Sequence, residues 1–538
     1  MSEITERTKV VNTNDTLKQA SILKNALKIA LGTILSRVLG LLREVLLAFL
    51  FDRTVTDAWS AAFRIPNFFR RLLNEGAFSL SLIPAFVKAK TDSHQKAQNL
   101  INIVYLFVLL VSSVLTLFAI SQTEMIMRFV LDEQFVQQTA QFELTCRLAK
   151  IMFGFIFFAS QYAFALGILN ALEDFFWPAF APMLLNLCMI IATIWPFILS
   201  SDRPIDSEIL AWGVFWGGFL QMVFLFYRLH HQQYLPKLYF NLNQFAEVSK
   251  DFKRMVQTFI PGFLAVGYFQ ILILLNLKFS SSLESGTLSS FQYVDRLIEL
   301  PLSLVAVALS GSLLSSLAQS QVEHDQERFS QKAFVGLDFN FFFMFISAFL
   351  LSGLAEPIVD LLFARGQFNQ QDVLRTAFVL KYYAWIMIFI GASRLLTSAL
   401  FVSGDTKVPI FSCLFALTLH VLIMFLMKTK ISIEIILGSS ILSSVSHFSF
   451  LMYGMKSHLN RDALLIFIKR WVLYGVIGFL MMLVSQTMFK GLNHFLSLSL
   501  SLALCALIDG VIVLSLMKWL FPVFFIKLKS KFLGAENV

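Results

Sequence analysis

The sequence predicts an all-α, polytopic membrane protein of about 14 transmembrane helices, and three observations predict it. Of 538 residues, 57% are hydrophobic and only 14% charged, where a soluble domain carries about 25% charged residues. The mean hydropathy is +0.72. Apolar runs recur from residue 21 to residue 525 with short polar breaks, and each lasts roughly the 20 residues a helix needs to cross a bilayer. Strands of a membrane barrel would alternate over about 10 residues instead.

In order, spans are expected near 28–51, 57–88, 99–121, 141–170, 177–200, 207–229 and 254–279. The second seven lie near 286–318, 333–354, 373–403, 408–428, 432–455, 464–487 and 495–521. Those at 57–88, 141–170, 286–318 and 373–403 are too long for straight crossings and must tilt, bend or project. The polar stretch 1–20 precedes the first span and has no signal-peptide pattern. With an even count both termini share one side. Most loop Lys and Arg, including KAKTDSHQK, KSHLNRDALLIFIKR and KLKSKF, then fall on that side, which makes it the cytoplasm. The net charge of +9 reads as this topological bias.

The polar connection at about 230–253 divides the chain. It gives an N-terminal lobe of six spans (1–232), a second six-span lobe (233–459), and a final pair of spans with a basic tail (460–538). The connection carries Leu235, Leu238, Phe240 and Phe245 among polar residues, as an interfacial helix does. RIPNFFRRLLNEGAFSLSLIPAF in span two and DRLIELPLSLVAVALSGSLLSSLA in span eight share the order arginine, acidic residue, proline, small residues. Parallel repeats of this kind are one of the standard transporter plans.

The charges within spans concentrate between residues 36 and 75 and again at 295–299. A charge near the bilayer centre costs roughly 2.5–3.5 kcal/mol on the lenient scale, so each needs a partner or a use. Arg37 and Glu44 fall on nearly one helix face, whereas Arg37 and Arg43 stand about 120° apart. Either a bend at Gly40 aims both at one ligand, or one of the pair meets a neighbouring helix. Arg64 and Arg71 share a face, Arg71 and Glu75 are spaced for an i,i+4 pair, and Pro66 is expected to interrupt the helix between them. Asp295, Arg296 and Glu299 form the second cluster, with Arg296 and Glu299 spaced for a local pair. Arg53 reads as a head-group anchor or half of an internal pair, and Arg71 is open between pairing and function. Arg37, Arg43, Arg64 and Arg70 read as functional, because arginine's planar fork suits bidentate contact with phosphate and carboxylate oxygens. Asp338, Glu356, His420, Asp509 and Arg394 have no partner visible in sequence. Cys146, Cys188, Cys413 and Cys505 lie singly and read as packing residues. No catalytic motif, phosphate loop or metal-ligand spacing is present in the sequence. Binding and movement therefore fit better than catalysis.

At SRVLGLLRE, TDAWSAAFRIPNFFRRLLNEGAFS, DRLIELP, LFARGQF and SGDTKVP the sequence resembles the MurJ (MviN) family of lipid II flippases. That family belongs to the multidrug/oligosaccharidyl-lipid/polysaccharide exporter superfamily. The resemblance implies two six-helix lobes around a central cavity, with the last two helices forming a groove for the lipid tail. It implies a substrate, lipid II, that is an undecaprenyl diphosphate bearing a disaccharide-pentapeptide. It also implies flipping from the cytoplasmic to the periplasmic leaflet by alternating access. The family's charges match Arg37, Arg43, Asp57, Arg70, Glu75, Arg296 and Glu299, and Glu44 stands where the family often has Asp.

The expected site is therefore Arg37, Arg43, Arg70 and Arg296 on the diphosphate, with Glu44, Asp57, Arg64, Glu75, Asp295 and Glu299 in support. No catalytic residue, metal or cofactor is expected, and transport is expected to draw on a membrane potential or an ion gradient. The expected partners are lipid II and membrane lipids, with cell-wall synthesis proteins as further candidates and no nucleic acid. The expected setting is the bacterial inner membrane, as a monomer with both termini cytoplasmic. Two competitors are an exporter of drugs or another polyprenyl-linked saccharide, and a membrane enzyme acting on the same lipid.

Overall fold

A computed structural model of the chain describes residues 32–73, 78–199, 207–238, 242–310, 317, 320, 323, 325–457, 461–494 and 496–520. Among them every regular element is helical. The first half comprises α1 (32–50), α2 (Arg53–Leu72), α3 (Phe78–Asp92), α4 (His94–Ser121) and the short α5 (Thr123–Val130) and α6 (Glu133–Gln137). It continues with α7 (Thr139–Met152), α8 (Gly154–Ala171), α9 (Phe176–Leu199) and α10 (Glu208–His231). The second half comprises α11 (Leu242–Val266), α12 (Tyr268–Ser280), α13 (Thr287–Ser310), α14 (Gln326–Gly353) and α15 (Ala355–Phe363). There follow α16 (Gln370–Tyr383), α17 (Ile386–Val402), α18 (Lys407–Leu426), α19 (Ile433–Gly454), α20 (Arg461–Asn493) and α21 (Leu498–Leu520).

Among the described residues, nine helices are long and apolar enough to cross a membrane, and the pair α16–α17, bent by 43°, makes a tenth if taken as one span. These ten coincide in order with ten of the expected spans. The other four, near 28–51, 57–88, 254–279 and 286–318, contain α1, α2, α12 and α13. Three of them carry the span charges: Arg37, Arg43 and Glu44 on α1, five charges on α2, and Asp295, Arg296 and Glu299 on α13. The fourth is broken at Gly267, between α11 and α12.

Two expectations need correction. Pro66 does not interrupt α2, which runs unbroken from Arg53 to Leu72. A proline inside a helix costs about 3 kcal/mol, but every residue from Thr56 to Asn67 is buried, so packing on all sides outweighs the lost hydrogen bond. Nor does the connection at 230–253 form one interfacial helix, since 234–238, with Leu235 and Leu238, is not helical. Its last part, from Leu242, is the start of α11, and Phe240 lies outside the described residues. Val248 and Met255 of α11 join the core built by Leu82, Phe86, Leu100 and Val104 of α3 and α4. At that foot Lys88 donates to Asp251 at 2.8 Å and Asn99 to Glu247 at 2.8 Å. The hydrogen bond from Lys88 holds the Asp251 carboxyl below the usual range.

α1 lies between the halves. Its Leu47 packs with Trp59, Phe63 and Leu185 of the first half, while Ala48, Leu41 and Val45 pack against the core of the second. Arg43 and Glu44, buried between these contacts, therefore sit at the seam.

Candidate functional site

The seam holds the charges in two layers. The outer layer lies at the end that the loop charges assign to the outside. There Asp57 of α2 accepts from the backbone N–H of Gly286 at 2.6 Å and of Ser289 at 2.9 Å, and from the Ser289 hydroxyl at 2.8 Å. It thus caps the N-terminus of α13, where unpaired N–H groups and the helix dipole favour an anion. Gly286 has φ +91°, a conformation glycine takes without steric cost. Beside it Arg53 pairs with Asp372 at 2.6 Å and donates to Asn369 at 2.8 Å. The Gln367 N–H donates to the Phe49 carbonyl at 3.1 Å. That approach needs Gly366, where a Cβ would stand 2.2 Å from the Phe49 oxygen. Asp132 N–H donates to the Ser281 hydroxyl at 2.8 Å, and Lys278 to the Phe129 carbonyl at 2.7 Å. Each of these contacts joins the first half to the second.

The inner layer is a cavity of about 250 Å³ among α1, α2, α9 and α13. Arg37, Arg43, Arg70, Arg71, Arg296 and Glu299 line it, with Asn186 and Ser36. Five arginines face one carboxylate. Glu299 accepts from Arg37 at 2.6 Å and from Arg296 at 3.0 Å, and its other oxygen meets Arg71. One carboxylate from α13 thus ties together three guanidiniums from three helices.

Glu44 lies behind this layer, fully buried. It pairs with Arg43 and accepts from Gln292 at 3.1 Å and Arg296 at 3.3 Å. Arg296 therefore bridges the two glutamates. Arg43 is itself 2% exposed. Its guanidinium lies 5.6 Å from the centroid of Trp59 and 5.7 Å from that of Phe63, and it donates to Asn186 at 3.1 Å. Arg37 is the accessible member, its side chain 35% exposed. Arg70 donates through Nε and Nη2 to Asn67 of its own helix, at 3.1 and 2.8 Å.

Arg37, Arg43, Arg70, Arg296 and Glu299 thus meet around one space, although α1 and α13 are more than 230 residues apart. Arg64 and Asp295 pair with each other at 2.6 Å, both buried, and neither lines the cavity. Asp57 belongs to the outer layer, and Glu75 lies outside the described residues. Arg71 turns to Glu299 on α13. The shared face of Arg64 and Arg71 is the one turned to the two carboxylates of α13. The alternative for Arg43 without a bend is the one observed, since it meets α9 within an uninterrupted α1. Asn186, a lone amide in an apolar helix, is legible in the sequence only as a polar residue in a span.

Elsewhere, Asp338 finds Arg470 at 2.5 Å and Tyr474 at 2.8 Å, fastening α20 to α14. Asp509 accepts from Ser485 at 2.7 Å between α20 and α21. No group of three or more His, Cys, Asp or Glu suited to a metal occurs among the described residues. Chemically, the cavity can hold an anion of several charges by fork-shaped contacts, and the carboxylate now at its centre occupies one such position.

The family model described as lipid II flippase MurJ matches residues 46–505. A probable lipid II flippase MurJ of Bdellovibrio bacteriovorus is 39% identical over 439 residues, covering 81% of this chain and 82% of that protein. The lipid II flippase MurJ of Burkholderia cenocepacia is 32% identical over 381 residues, 70% of this chain and 73% of that one. Among solved structures, lipid II flippase MurJ in an inward closed conformation aligns with TM-score 0.71 at 22% identity, over 91% of this chain and 98% of that one. An inward-facing multidrug resistance transporter of the MATE family, in the MOP superfamily, aligns with TM-score 0.65 at 13% identity, over 80% and 98%. An outward-facing member aligns with TM-score 0.59 at 12% identity, over 81% and 95%. These similarities in structure concern the fold.

Proposed function

The chain belongs to the lipid II flippase MurJ family, and from that membership we propose that its arginine cavity is where it holds the lipid II diphosphate. It is a transporter, not an enzyme: it flips lipid II across the inner membrane for peptidoglycan synthesis, by alternating access. The observation that carries the site is the convergence of five arginines from α1, α2 and α13 on one cavity around a single carboxylate.

A diphosphate cannot enter hydrocarbon unaided, and a low-dielectric cavity lined by arginine offsets its lost hydration. The residues placed on the substrate are Arg37, Arg70 and Arg296 of the expected set, with Arg71 added, while Arg43, buried against Glu44 and Asn186, is moved to a supporting place. As phosphate oxygens arrive they replace the oxygens of Glu299, and the tie among α1, α2 and α13 passes from that carboxylate to the substrate. Only such a difference in affinity between two states can shift their balance. The lining runs along α1 from Thr33 to Arg43 and along α9 from Pro178 to Asn186, on the inner side of the contacts at Asp57, Phe49 and Arg53. This supports reading the arrangement as open inward and closed outward.

The moving units in this reading are the lobes 1–232 and 233–459, with 460–538 beside the second as a groove for the prenyl tail. The protein acts as a monomer with both termini cytoplasmic, driven by membrane potential or an ion gradient. Reporter fusions at residue 92 and at the C-terminus should then read cytoplasmic, and one near residue 366 external. Depletion in the native cell should leave lipid II on the cytoplasmic side of the inner membrane. Lipid II already outside, with glycan unpolymerised, would overturn the reading.

A further inference from the structure

We propose that Asn186, on α9, is a positioning residue of the anion site: it fixes Arg43, and through Arg43 and Glu44 it sets where Arg296 stands. The proposal rests on the reading of the cavity as the diphosphate site.

α9 is otherwise a wholly apolar stretch around this position, PMLLNLCMII. A buried amide there needs partners for both its ends. Asn186 has them on α1. Its Oδ1 accepts from Arg43 Nη1 at 3.1 Å, and its Nδ2 donates to the Ser36 carbonyl at 2.9 Å. The amide has only one workable orientation, because turning it over would set N–H against guanidinium and oxygen against carbonyl. It is therefore a clamp between a fixed backbone point on α1 and the guanidinium seven residues on.

The rest of Arg43 is held equally firmly. Trp59 and Phe63 flank it, Met189 Sδ lies at 3.3 Å from Nη1, and Nη2 faces Glu44. At 2% exposure this arginine offers the cavity little of its fork. What it does offer is a fixed charge beneath Glu44. Glu44 in turn receives Arg296 Nε at 3.3 Å, leaving Arg296 Nη1 for Glu299 at 3.0 Å. The order Asn186, Arg43, Glu44, Arg296 runs from the first half to the second and ends on a guanidinium that lines the cavity. Preorganisation of this kind raises affinity by sparing the ligand the cost of ordering its own site.

The test is a double-mutant cycle on the purified full-length chain with detergent-solubilised lipid II as probe. Asn186→Leu fills the space without donor or acceptor, and Arg43→Lys keeps the charge without the fork. Each single substitution should weaken binding about tenfold or more, the scale of one hydrogen bond to a charged group. The double variant should be no weaker than Arg43→Lys alone within about twofold, because residues acting as one unit are not additive. Losses that multiply would overturn the proposal, as would unchanged binding in Asn186→Leu. If the wild-type chain binds no lipid II, the substrate reading fails instead. The same cycle read in melting midpoints of the ligand-free chain then decides the clamp: non-additive shifts keep it and additive shifts reject it.

Discussion

At one level of the seam, Asp57 gives its carboxylate oxygens to the first turn of α13 and Phe49 gives its carbonyl to Gln367. Fourteen residues further along α2, about 21 Å at the helical rise, Arg71 meets the same α13 through Glu299. The two levels join the same halves by different chemistry. Apart from the contacts of Arg53, the outer contacts engage a backbone group, so they form only when the chain segments themselves close together. The inner contacts are side-chain ion pairs in a cavity with arginine in excess, and an incoming anion can take the carboxylate's place. In the proposed cycle the outer level is the gate and the inner level the exchangeable lock. Substrate occupancy at the second can bias opening at the first, because α1, α2 and α13 belong to both.

The comparison breaks most sharply at Glu299. Glu299→Gln leaves Arg37, Arg71 and Arg296 without their shared carboxylate. Breaking a buried pair costs about 3–5 kcal/mol, so the melting midpoint in detergent should fall strongly and flipping should stop. Removing one arginine at a time sharpens the result. Arg37→Ala, Arg70→Ala or Arg296→Ala should abolish complementation at near-normal membrane levels, and lysine should rescue poorly because it lacks the fork. Active alanine variants would return these residues to a structural role.

At the gate, Gly366→Ala forces a side chain into φ +61° and towards the Phe49 carbonyl. It should cost about 1–3 kcal/mol and open the outer seam. A cysteine at Ser285 should then react faster with an impermeant maleimide added from outside. Asp57→Asn should act in the same direction by about 0.5–2 kcal/mol, the scale of a helix cap; an unchanged labelling rate would remove Asp57 from the gate. The smallest effect belongs to the inner foot, where Asp251→Asn should cost about 1 kcal/mol or less. Because Lys88 depresses the Asp251 carboxyl, that contribution is full above the ordinary carboxylate range. It fades as pH falls through the depressed value, so acid should erase the difference between Asp251→Asn and wild type.

Much of this was legible in the sequence. Apolar runs placed ten crossings. The helical period put Arg37 and Glu44 on one face, and Arg64 and Arg71 on another, and both faces turn to α13. The i,i+3 spacing of Arg296 and Glu299 gave their pair. What escaped depends on contacts across more than 100 residues, which spacing cannot encode. Nothing local says that Glu299 collects three arginines, or that Asp57 caps a helix more than 220 residues away. Pro66 misled because local propensity carries no knowledge of the packing around α2. The amide of Asn186 was visible, but its meaning came only with Arg43 beside it.

The central claim is that lipid II exchanges with Glu299 for the arginines of α1 and α2. The most direct measurement uses Leu41→Cys, one turn from Arg37, and Leu300→Cys, one turn from Arg296, with Cys146, Cys188, Cys413 and Cys505 replaced by alanine. A short bifunctional reagent should bridge the pair in the ligand-free chain, and added lipid II should change the rate while a lipid without diphosphate should not. If no short reagent bridges the pair in any state, or if lipid II leaves the rate unchanged, the exchange does not occur and Glu299 is a structural tie.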